Sequence, residues 1–229
     1  MTDLPASALF ITVAAITGLV AGPAADAAAR RLLPHLYEGY GSSQTLTTAG
    51  LSAAAFGLLA WRFGPVLILP AFLFLSLAGI VLSRIDLKHQ LLPNRIIIPA
   101  FAAGLAMLLI DALFSGHWTN LLTGFVGAGS SFVFYLILAV ISPRSLGMGD
   151  VKLSALLGLY LGYLSLGSAL LGLLLGFIVG AVVGLALISR GKAGLKTSVP
   201  FGPSMFAGCI VAVAFGPAIG SAIAGGLFA

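Results

Sequence analysis

Residues 166–189 read LGSALLGLLLGFIVGAVVGLALIS, without one charged side chain. A run of about 20 apolar residues matches the hydrocarbon thickness of a bilayer when coiled as an α-helix. Lipid offers no partner to backbone amides, and a helix satisfies its own. Within the run, Gly172, Gly176, Gly180 and Gly184 recur at every fourth position. They line one helix face with bare backbone, against which another helix can pack closely.

Outward from this segment, apolar runs separated by polar breaks predict helices at 6–29, 44–62, 65–84, 95–114, 120–142, 151–163 and 202–227. The expected fold is all-α, a polytopic transmembrane bundle of about eight helices in a single domain covering 1–229. The joints at 62–65 and 163–166 require very tight turns. Composition agrees: 60% of the residues are hydrophobic and 7% are charged, against roughly 25% charged in a soluble domain. No repeat at solenoid periods and no inverted pair of broken helices is visible.

The net charge of +5 does not signal nucleic acid, because the basic residues stand singly beside apolar spans instead of clustering on a polar surface. With eight spans, Arg30, Arg31, Arg84, Lys88, Arg95, Arg144, Lys152, Arg190, Lys192 and Lys196 fall on one side and only Arg62 on the other. The excess of Lys and Arg in cytoplasmic loops makes the first side cytoplasmic and puts both termini outside. Met1-Thr2-Asp3 supplies no basic n-region, and Arg30 and Arg31 follow the first span, so that span reads as a retained helix and not a cleaved signal. The single cysteine, Cys209, offers neither a disulfide framework nor a zinc cluster. No metal or other cofactor is expected.

Six acidic residues remain for chemistry. Asp3, Glu38 and Asp111 are expected near the outer side or in a loop, which leaves Asp26, Asp86 and Asp150 on the cytoplasmic side. An ionisable group beside hydrocarbon is costly unless paired or wetted, so each needs an account. Asp26 reads as a residue bonded within the bundle. Asp150 closes Leu146-Gly147-Met148-Gly149-Asp150 just where a helix begins, and locally it reads as an N-cap. Gly147 and Gly149 would let another chain approach its backbone closely. Asp86 ends the third span, ahead of Pro93-Asn94 where the chain turns, and locally it reads as an interfacial loop residue offsetting Arg84 and Lys88. His89 reads as an exposed loop histidine, His35 and His117 as loop or interfacial residues, and Lys152 as a snorkelling lysine.

Both Asp86 and Asp150 fall at helix ends on one side of the membrane, where a bundle could bring them together. Two carboxylates sharing a site cannot both ionise easily and hold one proton between them. The ionised partner can take a proton from water while the protonated one polarises a carbonyl, with no covalent intermediate.

Asp86, then Pro93-Asn94, then Gly147-Met148-Gly149-Asp150-Val151-Lys152-Leu153, then Pro200-Phe201-Gly202-Pro203, resembles the type IV prepilin peptidases, membrane aspartic proteases with a GxGD signature. The resemblance covers roughly residues 80–206, and Gly22 through Pro34 resembles the family's opening helix, with Asp26 where an Asn is usual. The presenilin and signal-peptide-peptidase group shares Gly-x-Gly-Asp but carries Tyr-Asp and Pro-Ala-Leu where this chain has Ile85-Asp86 and Val199-Pro200-Phe201. The resemblance implies a catalytic pair of Asp86 and Asp150 in one wet pocket, with Gly147, Gly149, Lys152, Pro93, Asn94, Pro200 and Gly202 as supporting motif positions. It further implies cleavage of a basic leader from prepilin or pseudopilin precursors, after a glycine, at the cytoplasmic face of the bacterial inner membrane. The precursor's apolar stem would stay in membrane lipid beside the enzyme. Larger family members carry paired Cys-x-x-Cys motifs between the first two spans, associated with zinc and N-methylation. Here Arg30 to Ser43 holds no cysteine, so a short, peptidase-only form is expected, similar to those serving tight-adherence pili. A transporter relaying protons through the same aspartates would place them near the midplane, and an assembly subunit would leave them dispensable. No motif encodes an oligomeric state.

Overall fold

A computed structural model describes residues 7–37, 41–141, 146–189 and 200–227. The readings of Asp3 and Glu38, and of Arg144, Arg190, Lys192 and Lys196 in the basic tally, lie outside them. The eight predicted helices all form: α1 (Ala8–Leu32), α2 (Ser42–Phe63), α3 (Leu69–His89), α4 (Asn94–Ser115), α5 (Trp118–Ile141), α6 (Met148–Leu164), α7 (Leu166–Ser189) and α8 (Gly202–Leu227), with a 3-10 turn at Pro34–Leu36. Among the described residues there is no strand. Five helices are long and apolar enough to cross a membrane, namely α1, α3, α4, α5 and α7 over Leu166–Ala186. The protein is a multi-pass membrane protein. The 17 residues of α6 span about 25 Å at 1.5 Å per residue.

The chain divides into two compact units, Met1–Gly116 and His117–Ala229. In the first, α1 and α2 form a hairpin with close backbone approach. A Cβ on Gly18 would run into the Ser52 carbonyl, and one on Gly22 would lie 2.5 Å from Ser52 Oγ. The joint after α2 turns at Gly64, whose φ of +68° is open to glycine. The third helix starts at Leu69 and runs five residues past its predicted end at 84. It closes on Gln90 in the left-handed conformation, whose N–H bonds the Asp86 carbonyl at 2.8 Å. Charged side chains at 84, 86 and 88 do not interrupt backbone bonding, so hydropathy marked the boundary too early.

In the second unit α6 is the central helix, buried at nearly every position from Val151 to Tyr163 and packed on α5, α7 and α8. Antiparallel α5 reaches it through glycines: a Cβ on Gly127 would strike the Gly158 carbonyl and sit 2.9 Å from Gly162 Cα. The predicted glycine face of α7 is used as expected over three turns. A Cβ on Gly172 would press on Leu161 and Ala212, one on Gly176 would lie 3.2 Å from the Met205 backbone, and one on Gly180 would lie 2.7 Å from the Phe201 ring. Gly184 meets nothing within 4 Å. The turn between α6 and α7 is Ser165 alone, whose hydroxyl accepts from Ser168 N–H at 2.9 Å.

Candidate active site

In the first unit Asp86 lies in the last turn of α3 and is 4% exposed. It is therefore a buried helical residue, which corrects its reading as an interfacial loop aspartate. Arg84 Nη1 donates to Asp26 Oδ1 at 2.8 Å and to Thr48 Oγ1. Arg30 Nη2 donates to the other Asp26 oxygen at 3.2 Å and to Thr45 Oγ1 at 3.1 Å, with its guanidinium over the Tyr37 ring. Asp26 is 1% exposed, so the expectation that it is bonded within the bundle holds, and its partners are two cations. A carboxylate so buried would be costly without such pairing.

The adjoining residues of α3 are held as well. Ile85 is fully buried in a cluster with Ala29, Leu33, Leu36, Tyr37 and Val81. His89 Nε2 bonds the Leu36 carbonyl at 2.7 Å. His89 is thus half-buried at the helix end, where an exposed loop histidine was expected; the longer α3 carries it back against the 3-10 turn. Pro93 precedes α4 with extended φ and ψ, and Asn94 is the first residue of that helix. Asp111 is buried in the last turn of α4, with Ser115 Oγ at 3.4 Å.

In the second unit Gly147 is the N-cap of α6, and Asp150 is its third residue. Asp150 accordingly does not cap in the expected way. Glycine at the cap has no side chain, so the Asp150 carboxylate reaches back one turn and accepts from Gly147 N–H at 3.0 Å. This satisfies an orphan donor at the cap, and the positive end of the helix dipole favours the negative charge. Gly149 lies between them without a side chain, and Lys152 is half-buried in the same first turn.

Gly202 opens α8, and Pro200 stands two residues before it. The residue between them has a part that sequence reasoning missed. Phe201 packs on Phe177 at 5.3 Å and on Tyr135 at 6.2 Å, while Tyr135 stacks on Phe177 at 5.6 Å and 13°. Phe201 is thereby pinned to α5 and α7. Nothing in the sequence near Tyr135 signals that partner. Thr45, Thr48 and Ser52 did carry a signal, a polar stripe at helical spacing in a membrane helix. Among the described residues no three His, Cys, Asp or Glu side chains gather as a metal site, and Cys209 is fully buried.

The model of the type IV leader peptidase family matches residues 71–185, a stretch that contains Asp86 and Asp150. The chain is 34% identical over 178 residues to the prepilin leader peptidase/N-methyltransferase of Bacillus subtilis, covering 76% of this chain and 65% of that protein. A protein of the same description from Pseudomonas aeruginosa is 34% identical over 181 residues, covering 76% and 58%. The leader peptidase HopD of Escherichia coli is 33% identical over 143 residues, covering 61% of this chain and 88% of that protein. The chain thus spans less than two thirds of the first two relatives and most of the third. No solved structure matches.

Proposed function

Since the chain belongs to the type IV leader peptidase family, we propose that it is a membrane aspartic endopeptidase that removes leaders from type IV prepilins or pseudopilins at the cytoplasmic face of the bacterial inner membrane. The observation that carries this is the family match across a stretch holding two aspartates within a turn of helix ends, the C-terminal end of α3 and the N-terminal end of α6. Asp86 and Asp150 are the catalytic pair. Both act on one hydrolytic water.

The two helix ends suggest how the work is divided. Asp150 sits where amide N–H groups and the helix dipole favour a negative carboxylate, so it serves as the base that takes the proton from water. Asp86, buried in the last turn of α3, carries the shared proton and hydrogen-bonds the scissile carbonyl. As the water attacks, Asp150 gains its proton and the carbonyl oxygen takes Asp86's; the amine then leaves with the proton from Asp150 while a hydroxyl of the tetrahedral intermediate returns its proton to Asp86.

Gly147 and Gly149 leave room for the substrate backbone beside Asp150. Pro93, Asn94, Pro200 and Gly202 set the turns that frame the site, and Lys152 faces the lipid headgroups. The loop from Arg30 to Ser43 contains no cysteine, which supports a peptidase without N-methyltransferase activity. No cofactor takes part. The partners are the precursor's leader and apolar stem, together with lipid.

The test is cleavage of a purified prepilin precursor by the reconstituted protein. Asp86→Asn and Asp150→Asn should each lower the rate by about 1,000-fold or more while the protein stays folded. Near wild-type cleavage by either variant excludes the pair. Aspartate-dependent ion flux in sealed vesicles, without any peptide product, would point to transport instead.

A further inference from the structure

We infer that Asp26 is a positioning residue for Asp86, acting through Arg84; this rests on the catalytic assignment of Asp86. Successive helical residues are rotated by about 100°, so Arg84, Ile85 and His89 cover an arc of about 140° on α3, with Asp86 about 60° beyond its edge. Each of these three residues is anchored. Arg84 is clamped between Asp26 of α1 and Thr48 of α2, Ile85 is embedded in the apolar cluster of α1 and the 3-10 turn, and His89 holds the Leu36 carbonyl.

The apolar contact of Ile85 resists lateral movement but specifies rotation weakly, because methyl groups pack in many orientations. The Arg84 clamp is directional. One guanidinium nitrogen meets a carboxylate at 2.8 Å on one helix and a hydroxyl on another, and its side chain is only 10% exposed. Thr48 is itself fixed, since its hydroxyl donates to the Gln44 carbonyl at 2.9 Å. Rotating α3 enough to carry Asp86 off its bearing would break the Asp26 bond and leave a buried cation. Arg84 stands two residues from Asp86 and so on a different side of the helix. Its part is to set the direction in which Asp86 projects.

A purely structural ion pair and a positioning device differ in one measurable respect. Replacing both by apolar groups leaves only Arg30 without its carboxylate, and that side chain is 37% exposed and keeps its bond to Thr45, so fold stability is largely kept, yet the directional clamp is gone. The double variant Asp26→Ala/Arg84→Met should therefore fold and bind a prepilin precursor with KM within about twofold, while kcat falls by about 10- to 100-fold, as expected for a misplaced reacting group. Asp26→Asn, which keeps an oxygen for Arg84, should retain kcat within about threefold.

Thr48→Val removes only the second side of the clamp and strands no charge, so it keeps the idea testable if the double variant does not accumulate. It should lower kcat by about threefold at constant KM. Wild-type kcat in the double variant, or in Thr48→Val where that alone is obtained, overturns the positioning role. An Asp86→Asn control that still cleaves would overturn the catalytic assignment, and with it this one. An inactive Asp86→Asn beside a fully active Asp26→Ala/Arg84→Met overturns the positioning role alone.

Discussion

At the scale of single residues, the contrast between Asp26 and Asp150 shows how burial and partner decide what a carboxylate does. Asp26 has its charge taken up by Arg84 and Arg30, and its removal strands a guanidinium of which 10% is exposed. Asp26→Ala alone should lower stability by about 3 kcal/mol, read as a shift in the thermal unfolding midpoint in detergent. Asp150 is half-buried and binds one backbone N–H. Asparagine at 150 keeps an oxygen for Gly147 N–H, so Asp150→Asn should unfold within about 0.5 kcal/mol of wild type. Lost cleavage in that variant then reports on the chemistry and not on the fold.

Helix packing in this chain is set largely by where side chains are missing. On α7 the four glycines of one face should respond differently to alanine. Gly184→Ala meets open space and removes a helix-weakening glycine, so it should be neutral or stabilising by up to about 1 kcal/mol. Gly180→Ala pushes on the Phe201 ring and Gly176→Ala on the Met205 backbone. Each should destabilise by about 1–3 kcal/mol, as measured by unfolding in detergent. Gly127→Ala and Gly158→Ala, where backbone faces backbone between α5 and α6, should be at least as damaging. Phe201→Ala should destabilise by about 3 kcal/mol, read by unfolding in detergent, because it removes the ring that packs on Tyr135 and Phe177.

For the whole molecule, the strongly one-sided distribution of Lys and Arg predicts sidedness that labelling can check. Cys209 is fully buried and gives a silent background. A cysteine at the exposed Leu91, in the turn between α3 and α4, should react only with a thiol reagent on the cytoplasmic side. One at the exposed Ser115, at the other end of α4, should react only from outside. The reverse pattern would put both aspartates on the wrong face for a cytoplasmic leader and exclude the proposed reaction.

The eight helices were legible along the chain to within a few residues, as was the motif set that led to the family. Both depend on local properties: the length of an apolar run against the thickness of a bilayer, and residues in a fixed order. Helix ends were less so, since Arg84 and Asp86 read as a polar break while the backbone ladder ran on to His89. What only the tertiary structure decided was partnership. Asp26 could have faced water, a lone cation or another acid; the close approach of α1 to α2 at Gly18 and Gly22, with α3 beside them, paired it with Arg84. The physical reason is that a helix closes its bonds four residues away, whereas a buried ion pair closes across 58 residues, where only the packing of faces determines which groups meet.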